Sequence, residues 1–82
     1  MYFVYILYSA KCNRYYIGFS TDVNARLLRH NSGMVTATKN CKPYSLMKTK
    51  TFPSEVLAIA EEKRLKKMKS RVYLEKLIEG NW

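Results

Sequence analysis

The chain is short of acid, of cysteine and of long apolar runs, and each shortage narrows what it can be. Only six Asp and Glu stand against fifteen Lys and Arg in 82 residues, a formal net charge of +9 with a pI near 9.8. Such an imbalance attracts polyanions, and phosphate neutralisation supplies affinity that does not depend on sequence. A membrane surface is the competing polyanion, but no segment pairs a broad apolar face with an unbroken basic one. Nucleic acid is the better partner, and no membrane is expected. The two cysteines, Cys12 and Cys41, form no C-x-x-C pair. With no signal-peptide pattern and no apolar run of membrane length, they read as reduced thiols of a cytoplasmic protein. A disulfide between them is the alternative. Repeats, low-complexity tracts and linkers are missing too, and 48% of the residues are hydrophobic. One small globular domain spanning 1–82 is expected.

What is present has clear local grammar. Residues 2–8, YFVYILY, are aromatic and β-branched throughout and predict a strand. SAKCN has turn character and RYYIGF resumes as a second strand, giving an antiparallel hairpin apolar on both faces. Gly18, near the end of that strand, marks a bulge or a close backbone approach. Ser20, Thr21 and Asp22 offer N-cap oxygens, and Asn31-Ser32-Gly33 a stop, so a helix lies between. Val23 and Leu27 share one stripe of it; Arg26 and His30, at i and i+4, form the adjoining stripe. Residues 34–43 lack a period and predict a loop. A third strand is expected over 44–52, a helix from Pro53-Ser54 to about Met68, and a final short helix carrying Tyr73, Leu74, Leu77 and Ile78. The order β-β-α-β-α-α is an α+β arrangement.

Tyrosine, arginine and histidine gathered within residues 15–30 look like a reaction centre for an anion, and the motifs resemble those of the GIY-YIG nuclease superfamily, in its small stand-alone bacterial branch. FVY at 3–5 stands in place of GIY, YIG at 16–18 is intact, and DVNARLLRHNSG is similar to the family's arginine–histidine helix. A T-K pair follows, then EEKRLKKMKSR, similar to the family's E-K-x-L-K glutamate helix. The chain departs from the pattern at Phe3 and in having no asparagine between that helix and Asn81. The resemblance covers residues 2 to about 78. It implies a three-stranded antiparallel sheet flanked by helices, and metal-dependent hydrolysis of phosphodiesters. It also places Tyr5, Tyr16, Arg26, His30 and Glu62 on the family's functional positions.

The chemistry asks something different of each. Phosphodiester cleavage needs an activated water, charge stabilisation on the non-bridging oxygens and help for the leaving alkoxide. Glu62 would hold one Mg²⁺ or Mn²⁺ through a single carboxylate, an arrangement Mg²⁺ tolerates by keeping waters and taking oxygens from the substrate. The family comparison selects Glu62 over Glu61; helical spacing does not. Arg26 suits the scissile phosphate, since its planar fork offers several donors. Tyr16 can orient or deprotonate the water if cations stabilise its phenolate, and His30 is the alternative base. Tyr5 positions Tyr16 or water, or is simply a core tyrosine. Gly18 would let backbone or phosphate approach closely. Lys39, Lys42, Lys63, Lys66, Lys67, Lys69 and Arg71 are candidate phosphate contacts.

The resulting expectation is an endonuclease acting on DNA rather than RNA, as a monomer or weak dimer, selective for nucleic-acid shape. A basic nucleic-acid-binding module without turnover is the rival. On either reading, DNA affinity measured across a salt series should fall steeply, with a log–log slope reflecting several released counterions. A flat response would contradict the polyanion reading of the +9 charge.

Overall fold

The computed structural model describes residues 1–82, the side chain of Asn81 excepted. Its elements are β1 (Tyr2–Ser9), β2 (Arg14–Ser20), α1 (Val23–Asn31), β3 (Ser45–Phe52), α2 (Glu55–Met68) and α3 (Arg71–Lys76). The sheet is antiparallel with order β2-β1-β3, the α+β arrangement that the sequence predicts. Within the expected loop lies one 3-10 turn, Lys39–Cys41, and α3 continues into a π-type turn, Leu77–Asn81.

The central position of β1 explains its composition. A strand hydrogen-bonded on both sides and covered on both faces has no solvent side, so polar alternation disappears. Val4 and Ile6 point into one core layer with Ile17, Ala58, Leu65, Leu74 and Leu77, beneath α2 and α3. Tyr5 and Leu7 point into the other, with Tyr44, Tyr16 and the Val23–Leu27 stripe of α1. Val4, Tyr5, Ile6 and Leu7 are each at most 1% exposed, and burying each such side chain contributes about 1.5–3 kcal/mol.

The helices begin where side-chain oxygens can satisfy their first amides. Asp22 accepts from the Ala25 N–H at 3.0 Å, Ser54 from Leu57 at 3.2 Å and Ser70 from Tyr73 at 3.2 Å. Lys69 (φ 48°) ends α2 in the left-handed conformation, turning the chain at once into α3. No helix among the described residues is long and apolar enough to cross a membrane.

One expectation is overturned: Cys12 and Cys41 are not free thiols but a disulfide, with Cα atoms 5.5 Å apart. Buried Ser9 brings them together. It accepts from the Cys12 N–H at 3.1 Å and donates to the Cys41 carbonyl. The β1–β2 turn and the 3-10 turn are therefore held side by side, a proximity invisible in sequence separation. Pairing also removes the inference from free thiols to a reducing compartment.

The feature that shapes the site is the pairing of Tyr5 with Gly18 across β1 and β2. A Cβ at residue 18 would fall on the Tyr5 ring, overlapping the phenol and standing 2.9 Å from Cε1. The sequence reading of Gly18 as a bulge, or as a place for backbone or phosphate to come close, is corrected: the residue is buried and the Tyr5 side chain fills that space, leaving no room there for a substrate phosphate. Gly18→Ala should therefore destabilise the fold by about 1–3 kcal/mol, the cost of overpacking a filled core. Urea denaturation reads this directly, and an unchanged midpoint would contradict it.

Candidate active site at the β2 edge

Gly18 lies on an outer strand of the sheet, so the Tyr5 ring that crosses it reaches from the central strand towards the edge. There the Tyr5 hydroxyl lies 3.2 Å from His30 Nε2, and His30 Nδ1 lies 2.8 Å from Thr38 Oγ1. Thr38 donates to the Val35 carbonyl at 3.4 Å, so it accepts from Nδ1–H. That leaves Nε2 to accept the Tyr5 proton. Tyr5, His30 and Thr38 are each 1% exposed. Burial, with Arg26 and Arg29 nearby, lowers the His30 pKa and keeps the ring neutral. The Tyr5 hydroxyl is pushed up to about 12, chiefly by burial and then by Tyr16; Glu62 adds to the rise, and Arg26 opposes it. Tyr16, Arg26 and Glu62 thus all act electrostatically on one phenol. Tyr5 is the centre of the cluster.

The other side chains arrive from separate elements. Tyr16, on β2, is half-buried, its ring 4.8 Å from that of His30. The Lys66 ammonium of α2 sits 5.6 Å from the centre of the Tyr16 ring and 3.5 Å from the Glu62 carboxylate. Glu62 therefore faces the tyrosines. Glu61 does not: it accepts two hydrogen bonds from Arg64, at 2.7 and 2.8 Å, and one from Trp82 Nε1 at 2.8 Å. The Arg64 guanidinium holds its pKa below the usual carboxylate range. The two adjacent glutamates, which helical spacing leaves ambiguous, are separated by their partners.

Arg26 is exposed on α1 and lines a cleft of about 400 Å³ with Arg29, Ser20 and Asp22. Tyr16 lines a different cleft of about 360 Å³ with Lys66 and Lys69. Among the expected phosphate contacts, Lys39, Lys42, Lys63, Lys66, Lys67 and Lys69 are all exposed. Arg71 is exposed but engaged: it donates to the Asn13 carbonyl at 3.1 Å, to Asn13 Oδ1 at 2.7 Å and to Glu75 at 3.4 Å. It ties α3 to the β1–β2 turn.

No group of three or more His, Cys, Asp or Glu comes together among the described residues. A closed zinc-type site is thereby excluded there. Glu62 fits the sparser demand of Mg²⁺, one carboxylate completed by waters and phosphate oxygens. His30, with a partner on each ring nitrogen, does not fit as a metal ligand. Thr38 and Tyr44 escaped sequence reading. Both lie in or beside the aperiodic 34–43 stretch, where only the T-K pair gave a signal.

Comparison with known proteins identifies the family. The family model described as the GIY-YIG catalytic domain matches residues 1–76. A UPF0213 protein of Staphylococcus epidermidis is 35% identical over 81 residues, covering 95% of each chain. Another, from Halobacterium salinarum, is 35% identical over 69 residues, covering 83% of this chain and 88% of its own. The solution NMR structure of a UPF0213 protein from Bacillus halodurans, also 35% identical, is similar with a TM-score of 0.59 over 99% of this chain and 86% of that one. From the first strand to the end of α3, the chain belongs to the GIY-YIG catalytic domain family.

Proposed function

We propose that the protein is a metal-dependent endonuclease hydrolysing phosphodiester bonds in DNA, selective for nucleic-acid shape rather than a long sequence. The observation that carries this reading is the chain of contacts that links Tyr5, His30, Tyr16, Lys66 and Glu62 at one edge of the sheet, on a chain of net charge +9. Arg26, exposed on α1, binds the non-bridging oxygens of the scissile phosphate and offsets charge growing on them. Tyr16 is the better base of the two candidates. As the phenolate, with the Lys66 ammonium beside its ring to stabilise the negative charge, it orients the attacking water and takes its proton, becoming the neutral phenol. His30 is a positioning residue: its ring nitrogens are occupied by Tyr5 and Thr38, and its ring packs beside that of Tyr16. Glu62 would hold one Mg²⁺ or Mn²⁺, which when bound supplies charge neutralisation at the phosphate and a more acidic water. Lys39, Lys42, Lys66 and Lys69 contact backbone phosphates on either side, and Arg71 adds a fixed positive charge near β2. The domain acts as a monomer or weak dimer.

The test is purified protein with Mg²⁺ or Mn²⁺ and labelled single-stranded, duplex and branched DNA, run as cleavage and gel-shift assays. The wild-type chain should cut. Glu62→Gln should abolish cutting yet still shift the gel, because the amide keeps the shape but loses the charge that a hard cation needs. Glu61→Gln should keep most of the activity and lose stability instead, since its carboxylate anchors Arg64 and Trp82. A wild-type chain that shifts DNA and never cuts would make the binding module the correct reading.

A further inference from the structure

The cleft beside Tyr16 is built differently from a phosphate site. Its floor is apolar, formed by Ile17, Leu65 and Leu74, all at most 8% exposed. Tyr15 and Tyr16 line it as well, and Lys66, Lys69 and Arg71 supply its cations. A phosphate gains nothing from an apolar floor and would be desolvated against it. A ligand with flat apolar faces and an attached anion suits both features. At about 360 Å³ the cleft is near the lower limit for ligand sites, large enough for one nucleotide unit and too small for a folded segment.

Two further observations define the occupant. Arg71 is fixed before any ligand arrives, held by Asn13 and Glu75. Its guanidinium carbon lies 5.2 Å from the Tyr15 ring centre and 6.0 Å from that of Tyr8. Guanidinium planes and tyrosine rings are the surfaces on which unstacked bases rest, and a preordered arginine loses little entropy on contact. The cleft is also continuous with the candidate active site. Lys66, one of its walls, spans the Tyr16 ring and pairs with Glu62.

We propose that this cleft receives a nucleobase of the bound strand, taken out of its stack one step from the scissile phosphate. The inference rests on the nuclease reading and extends it: substrates with an unpaired base at that position are favoured over continuous duplex. Tyr15 becomes a specificity-determining residue.

The experiment uses the full ¹⁵N-labelled chain without added divalent metal, titrated with thymidine 5′-monophosphate, with deoxyribose 5-phosphate and with inorganic phosphate through the millimolar range. The nucleotide should move the amides of residues 13–17 and 65–74 and bind roughly tenfold more tightly than the sugar phosphate, the scale of one base–aromatic contact. Tyr15→Leu should erase that preference. Arg71→Gln, at an exposed position, should weaken it and serves if the first variant fails to fold. Equal binding of nucleotide and sugar phosphate, shifts confined to α1 or β3, or no shift at all would overturn the proposal. The readout needs no turnover. A chain that binds the base here but cuts nothing contradicts the nuclease reading alone; one that cuts but ignores the base contradicts this inference alone.

Discussion

The Tyr5 phenol, laid across Gly18 and donating to His30, is the contact from which the rest of the site takes its position. A central strand would ordinarily bury its aromatic rings in the layer above it. The missing side chain at Gly18 instead lets the ring lie flat towards the β2 edge. The hydroxyl then needs a partner, because a buried donor without one costs about 1–3 kcal/mol. His30 is that partner, and Thr38 satisfies the other face of His30. No buried side-chain nitrogen or oxygen among the described residues lacks a hydrogen bond. The relay runs from β1 through the last turn of α1 into the loop, fixing three elements that propensity alone would leave free to shift.

That buried relay has an exposed counterpart. Tyr16, Lys66 and Glu62 stand around the same edge, and Arg26 approaches from α1. The interior of the cluster is neutral, and its charges lie on the outside where a phosphate would come. The division leaves His30 a buried ring that does not easily gain a proton and Arg26 an exposed guanidinium on α1. The disulfide supports the division from below: it clamps the β1–β2 turn to the 3-10 turn that follows Thr38, so the loop carrying the relay's last member is anchored at its end.

Much of this was legible in the sequence, and the reasons for the rest are physical. The unbroken aromatic and β-branched run of Tyr2–Tyr8 could only be a strand without a solvent face. Asp22 and Ser54 announced helix starts because each carries the oxygen that a first turn lacks. Gly18 signalled a close approach, but of backbone or phosphate rather than of the Tyr5 ring. The choice between Glu61 and Glu62 was beyond periodicity, since it depends on Arg64 and Trp82 reaching one and Lys66 the other. The disulfide and Thr38 were hidden for one shared reason. Both are fixed by contacts between the hairpin, α1 and an aperiodic loop, and aperiodic sequence carries no register. Arg71 reads in sequence as one more basic residue; only its contacts with Asn13, Tyr8 and Tyr15 separate it from a solvated charge.

The central claim is that His30 is a neutral buried relay whose proton sits on Nδ1, and ¹⁵N NMR of the imidazole nitrogens across a pH titration tests it most directly. A free histidine titrates near ~6.5. Burial lowers the value in the folded chain, so the unfolded chain takes up a proton that the folded one refuses. Stability should fall as pH drops below ~6.5. The account predicts that His30 titrates below that pH and carries its neutral-state proton on Nδ1. A ring that titrates at or above ~6.5, or that carries its neutral-state proton on Nε2, would contradict it.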